Sequence, residues 1–166
     1  MNIILIGMPG CGKSTIGVLL AKAIQFGFVD CDLLIQRRCS MSLQSIIDTQ
    51  GLDRFLNEEE STIVNFTDDN CVVATGGSAV YSQKAMEHLK KNGIVVYLSL
   101  PLEDIESRLT NIKTRGVAMT KSQTIGELYK ERCPLYEKYA DITVKTHNLN
   151  IEQTVEKIAE SIKNFI

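Results

Sequence analysis

The chain of 166 residues is 44% hydrophobic and 23% charged with a net charge of −2, the profile of one soluble globular domain with a proper core. That balance offers no broad basic field for nucleic acid or an acidic membrane surface. No apolar run is long enough to span a bilayer, and nothing at the N-terminus resembles a signal peptide. The five cysteines, Cys11, Cys31, Cys39, Cys71 and Cys133, form no C-x-x-C pair, so they are expected to be reduced thiols of a cytoplasmic protein.

In chain order, Ile3-Ile4-Leu5-Ile6 predicts a buried strand. Directly behind it stands Gly7-Met8-Pro9-Gly10-Cys11-Gly12-Lys13-Ser14-Thr15, which fits G-x-x-x-x-G-K-[ST]. A strand delivering a glycine-rich turn into a helix presents unpaired N–H groups and the positive end of the helix dipole to a polyphosphate. Lys13 is expected to reach the β- and γ-phosphates of ATP, with the Ser14 hydroxyl on Mg²⁺. Helical spacing of Ile16, Leu19, Leu20, Ala23 and Ile24 predicts a helix ending near Gly27.

Phe28-Val29 reads as a short strand with Asp30-Cys31-Asp32 at its carboxyl end. Leu33 to Arg38 reads as a short helix, and Ser42 caps another that Gly51 closes. Residues 52–66 predict a further helix, with Phe55, Leu56, Ile63 and Phe66 apolar and Glu58-Glu59-Glu60 solvated. Cys71 to Ala74 is a buried strand running into Thr75-Gly76-Gly77-Ser78, and Ser82 caps a helix through Lys91. Ile94 to Leu98 is a core strand, and Pro101 suits the first turn of a helix through Leu109. Residues 110–122 are polar and aperiodic, which predicts a mobile lid. Thr124 and Glu127 form a capping box for a helix through Lys138. Asp141 to Lys145 is the last strand, and Ile151, Val155, Ile158, Ala159 and Ile162 mark the closing helix.

Strands alternating with amphipathic helices specify an α/β fold, a parallel sheet covered on both faces. Ligands of such folds collect beyond the carboxyl ends of the strands. The P-loop, Asp30-Asp32 and Gly76-Gly77 each follow a strand and are expected to share one crevice. Two-residue spacing can turn Asp30 and Asp32 to the same side, one near Mg²⁺ and one near an acceptor hydroxyl, as phosphoryl transfer requires. Gly76 and Gly77 let backbone approach a ligand and offer N–H groups to it. Arg115, inside the lid segment, could stabilise charge on the transferring phosphoryl group, and Arg132 could bind a carboxylate bidentately.

Taken together, the P-loop, Phe28-Val29-Asp30-Cys31-Asp32, Thr75-Gly76-Gly77, Arg115 and Arg132-Cys133-Pro134-Leu135-Tyr136 resemble shikimate kinases, in the nucleoside-monophosphate-kinase-like P-loop group. The resemblance spans nearly the whole chain. It implies one P-loop kinase domain over residues 1–166, a three-layer αβα fold with a five-stranded parallel sheet, and ATP-dependent 3-phosphorylation of shikimate by a monomer. It also implies site roles. Gly10, Cys11, Gly12, Lys13, Ser14 and Thr15 would hold ATP, and Ser14 and Asp30 would hold Mg²⁺. Asp32 would orient or deprotonate the attacking hydroxyl, and Gly76 and Gly77 would contact the acceptor. Arg115 would touch ATP phosphates on lid closure, and Arg132 would grip the acceptor's carboxylate.

The chain departs from the family pattern at several positions. Where G-E-x-x-F-R-x-x-E is usual, it has Gly51-Leu52-Asp53-Arg54-Phe55-Leu56-Asn57-Glu58-Glu59. Leu52 replaces the acid, and Leu56 replaces an arginine that helps bind the substrate carboxylate. Arg54, two residues back on a helix, points about 200° away. The third glycine is Ser78, the lid's Arg-Pro is Arg115-Gly116, and the arginine that packs on adenine is absent, with Asn111 or Lys113 standing nearest to its place. The phosphate machinery is therefore intact while the acceptor pocket is altered. That leaves open another polyol or hydroxy-acid acceptor, or a non-catalytic nucleotide-binding sensor. Gluconate kinases share the P-loop and an aspartate pair, but Thr75-Gly76-Gly77 and Arg132-x-Pro-x-Tyr fit shikimate kinases better.

Overall fold

The computed structural model describes residues 1–109 and 116–165. Five strands, β1 (Asn2–Ile6), β2 (Gly27–Asp30), β3 (Cys71–Ala74), β4 (Gly93–Ser99) and β5 (Ile142–Lys145), form one sheet in the order β2-β3-β1-β4-β5. Every pairing is parallel. The central strand β1 is the most apolar, and Ile3, Ile4, Leu5 and Ile6 are wholly buried, as a parallel strand covered on both faces must be. The short β2 lies at an edge, with Gly27 exposed and the rest half-buried.

Among the described residues eight α-helices connect and flank the strands: α1 (Lys13–Ile24), α2 (Cys31–Cys39), α3 (Leu43–Gln50), α4 (Leu52–Val64), α5 (Gln83–Lys91), α6 (Leu102–Arg108), α7 (Ile125–Tyr139) and α8 (Ile151–Ile162). Parallel crossovers are right-handed. The path from β1 to β2 runs one way across the sheet and the path from β3 to β4 runs the other, so α1 and α5 must cover opposite faces. α8 returns to pack on α1, whereas α5 and α7 lie against β4. The result is the expected three-layer α/β arrangement. The connections leaving the neighbouring strands β1 and β3 diverge to opposite faces and open a crevice at their carboxyl ends.

Several elements depart from the expected boundaries for local reasons. Asp30 ends β2 and also caps α2, its Oδ1 accepting from the N–H groups of Asp32 (2.9 Å) and Leu33 (3.3 Å). The helix therefore starts at Cys31 rather than Leu33, and Asp32 lies in its first turn, not on a strand end. Pro101 is the N-cap of α6, with ψ 152°, and not a first-turn residue. Asp141 stays outside β5, where its Oδ2 accepts from Val95 N at 2.9 Å and its Oδ1 from Lys90 Nζ at 2.7 Å. The capping box at Thr124 and Glu127 forms as the spacing requires.

A second, smaller apolar cluster lies under α2, α3 and α4. Ile35, Leu43, Ile46 and Phe55 form it together with Ala118, and Leu52 and Leu56 pack against it. Of the segment expected to be a mobile lid, residues 110–115 fall outside the described residues. Gly116, Val117 and Ala118 are buried. Gly116 has φ +66°, and a Cβ there would collide with Leu43 Cβ and stand 2.9 Å from Gln44 N. Only glycine lets the chain descend onto α3 at this point.

Candidate active site

A cavity of about 460 Å³ occupies the crevice between β1 and β3. Its floor is the P-loop, and Pro9, Gly10, Gly12, Lys13, Ser14 and Thr15 all line it. Gly12, with φ +99°, is the left-handed N-cap of α1, a conformation that favours glycine. The first intrahelical bond runs from Ile16 N to Gly12 O at 2.9 Å. The N–H groups of Lys13, Ser14 and Thr15 therefore point out of the helix end with no helical partner, a ready anion seat. Lys13 is nearly buried, and its Nζ donates to the carbonyls of Gly7 (2.7 Å) and Met8 (2.9 Å). Cys11 does not join the cavity lining. Its N–H donates to Met8 O at 3.2 Å and its side chain is 1% exposed, with Sγ 3.7 Å from Lys13 Nζ.

Asp32 reaches the cavity from the first turn of α2, but Asp30 is not among its lining residues. Burial is the main force raising the Asp32 carboxyl from the usual 3.8 to about 6. The Asp30 charge adds to the rise and Lys13 opposes it. Behind the cavity wall lies a second carboxyl that the sequence reading put in solvent. Glu59 is 2% exposed and Glu58 9%, so the run Glu58-Glu59-Glu60 is not a solvated face. Glu59 Oε2 accepts from Ser78 Oγ at 2.6 Å, and Oε1 has no hydrogen-bond partner. Burial raises the Glu59 carboxyl to about 7 against the Ser78 hydrogen bond, and the Asp32 charge pushes the same way. Glu58 instead pairs with Arg54 (2.5 Å) and Arg38 (3.3 Å) at the surface.

Gly76 and Gly77 are glycines for lack of room. A Cβ on Gly76 would collide with Glu59 Oε1 and stand 3.0 Å from Asp32 Oδ1. One on Gly77 would lie 2.9 Å from both Arg132 Nη1 and Pro9 Cδ. The two glycines thus form a thin wall flanked by carboxylates on one side and a guanidinium on the other. Tyr136, stacked on Tyr97 at 5.2 Å, anchors the wall by donating from its hydroxyl to Gly77 O at 2.6 Å.

Arg132 lies on α7 and is wholly buried. Its Nε donates to the Tyr81 hydroxyl at 3.0 Å, Nη2 donates to Ala118 O, and the guanidinium lies 5.0 Å from the Tyr81 ring centroid. Among the described residues no carboxylate pairs with it. A buried cation without a counter-charge is costly, so the cavity that Arg132 lines is built to take an anion. Leu52 and Leu56, in place of an acid and an arginine, face an adjoining cavity beside Tyr81 rather than the central one. Arg54, tied to Glu58 and exposed, does not compensate.

Arg115, Asn111 and Lys113 lie outside the described residues. At the rim, Arg108 lines the cavity and donates from Nη1 to Gly10 O at 3.5 Å, so an arginine does stand at the P-loop's outer side. Arg108, Glu59 and Tyr81 were given no role in the sequence reading, and residues 116–118, read there as part of the mobile lid, are instead buried in the cavity wall. The capping frame of α6 could have pointed to Arg108. Glu59 did carry a signal, since it stands at the last acid of the family pattern G-E-x-x-F-R-x-x-E, but three consecutive acids read as a solvated face.

Comparison with known proteins agrees with this geometry. A family model described as shikimate kinase matches residues 9–163. A shikimate kinase of Haemophilus influenzae is 38% identical over 168 residues, covering 99% of this chain and 93% of the relative. Among solved structures, a shikimate kinase from Acinetobacter baumannii in complex with shikimate superposes with a TM-score of 0.89 at 31% identity, covering 99% of this chain and 93% of the other. The Aquifex aeolicus shikimate kinase gives a TM-score of 0.80 at 29% identity, covering 99% and 98%.

Proposed function

This chain belongs to the shikimate kinase family and is an ATP-dependent kinase, and from that premise we propose that its acceptor is shikimate, phosphorylated at the 3-hydroxyl. The observation that carries the proposal is Arg132, a wholly buried guanidinium lining the same cavity as the P-loop and Asp32. It calls for a small acceptor that bears both a carboxylate and a hydroxyl. The relative crystallised with shikimate is similar to this chain over nearly its full length.

In this reading the ATP phosphates lie on the N–H groups of Gly10, Gly12, Lys13, Ser14 and Thr15. Lys13 leaves its carbonyl partners to meet the β- and γ-oxygens. The donor set suits Mg²⁺ delivered with the nucleotide. Ser14 presents a hydroxyl at the helix start, and Asp30 keeps Oδ2 after Oδ1 has capped α2. When bound, the ion neutralises charge on the phosphates. Arg132 holds the acceptor's carboxylate, and Gly76 and Gly77 offer N–H groups to its ring oxygens. Asp32 accepts the proton of the attacking hydroxyl as that oxygen bonds to the γ-phosphorus and the bond to ADP breaks. Arg108 borders the nucleoside side, and Arg115 on segment 110–122 supplies the lid cation. We further propose that residues 1–166 act as one domain, as a monomer in the cytoplasm. Among the described residues no helix is long and apolar enough to cross a membrane.

A second reading keeps the chemistry and changes the acceptor to another hydroxy acid; Leu56 favours it, because the pocket then has one guanidinium where the family pattern has two. A coupled ADP-release assay with ATP and Mg²⁺ against shikimate and a panel of polyols and hydroxy acids decides between them. Shikimate-dependent turnover well above the panel is expected. Turnover only with another acceptor would select the second reading, and none with any acceptor would mean a nucleotide sensor.

A further inference from the structure

We propose that Tyr81 is a positioning residue for the acceptor. It fixes the Arg132 guanidinium in the orientation that receives a carboxylate, and the inference rests on the acceptor reading above. Tyr81 follows the Gly76-Gly77 wall in a short 3₁₀ turn, Ala79–Tyr81, and touches Arg132 in two ways. The hydroxyl accepts from Arg132 Nε at 3.0 Å, and the ring lies 5.0 Å from the guanidinium carbon. The hydroxyl proton is taken by Glu131 Oε1 at 2.5 Å, and Glu131 Oε2 in turn accepts from Gln123 Nε2 at 3.1 Å.

The direction of this relay matters. A phenol has one proton and two lone pairs. With the carboxylate of Glu131 holding the proton through a charge-assisted bond, only lone pairs are left to face Arg132. The hydroxyl is thereby committed to accepting from Nε. Ala118 O takes Nη2, which leaves the Nη1 side, beside Gly77, for a ligand. An arginine held at Nε and Nη2 has little side-chain freedom left to lose when an anion arrives. That restraint carries more weight here than in a pocket with two cations, because Leu56 contributes no second guanidinium. Of the two direct partners of Arg132, Ala118 belongs to the segment that covers the cavity, and Gln123, at the far end of the Glu131 relay, lies just beyond that segment.

Tyr81→Phe keeps the ring and removes only the acceptor oxygen. We expect the KM for shikimate to rise roughly tenfold, the scale of one lost bond to a charged group, with kcat and the KM for ATP within about twofold of the parent. The ¹⁵N-labelled parent should show one arginine Nε–H resonance protected from exchange, and Tyr81→Phe should lose that protection. An unchanged shikimate KM overturns the proposal, whether or not the resonance changes. A parallel fall in kcat and ATP affinity also overturns it, since that would report general loosening. If the parent shows no turnover with shikimate, the acceptor reading falls instead. The relay is then judged on the Nε–H resonance, and retention of its protection in Tyr81→Phe refutes it.

Discussion

Two demands meet at Asp32. In the proposed role it must be ionised to accept a proton, yet burial and the neighbouring Asp30 raise its carboxyl to about 6. A base with a pKa near the working pH suits proton transfer. The sign follows directly: below about pH 6 the free enzyme holds Asp32 protonated and unable to accept. The kcat/KM for the acceptor should therefore fall as pH drops through 6, while ATP affinity changes little over the same range. Asp32→Asn should lose on the order of 10²- to 10⁴-fold in turnover, with nucleotide binding by calorimetry near that of the parent. A fully active variant would refute the assigned role. Glu59 obeys the same logic for stability. Its carboxyl is raised from 4.5 to about 7, so the folded state favours the protonated form. The associated stability is present below about pH 4.5 and is lost as pH rises through 7. Urea midpoints should decline over that window in the parent and decline less in Glu59→Gln. Equal slopes would contradict a buried, proton-binding Glu59.

At the level of elements, α4 separates what periodicity reveals from what it hides. Its apolar positions Phe55 and Ile63 are buried as read. The acids beside them were misplaced, because a run of three carboxylates ordinarily marks a wet face. Here Glu59 is held under Gly76 by Ser78, a partner 19 residues away that no local pattern reveals. The leucines at 52 and 56 have a packing reason, since they extend the small cluster beneath α2 to α4. Leu56→Arg thus trades burial for charge. Shikimate KM should fall several-fold if the pocket is merely weakened by the missing cation, and the thermal midpoint should drop as the apolar contact is lost. An unchanged or raised KM would show that the side chain does not reach the acceptor. Element boundaries were legible where a side chain caps, as at Ser42, Ser82 and Thr124. They slipped where one residue serves two elements, as Asp30 does.

Across the whole molecule, the alternation of apolar strands with amphipathic helices was enough to give a parallel sheet and to bring the P-loop, Asp32 and Gly76-Gly77 to one crevice. Those three follow β1, β2 and β3, which are neighbours at one end of the sheet, and the rule that ligands gather at the carboxyl edge does the rest. The acceptor side was less legible because it is assembled from side chains far apart in sequence. Arg132 on α7 is ordered by Tyr81 from the turn after β3 and by Ala118 from the covering segment, and only the folded chain shows that arrangement. The proposed reaction brings ATP and a hydroxyl of a carboxylate-bearing acceptor, shikimate, together in one cavity. Its most direct test follows ADP release and phosphorylated product together, by coupled assay and ³¹P NMR, with ATP, Mg²⁺ and shikimate. Equal amounts of ADP and shikimate 3-phosphate are expected from the parent, and almost none from Asp32→Asn. ADP release that is independent of shikimate, or phosphate on a different hydroxyl, would contradict it.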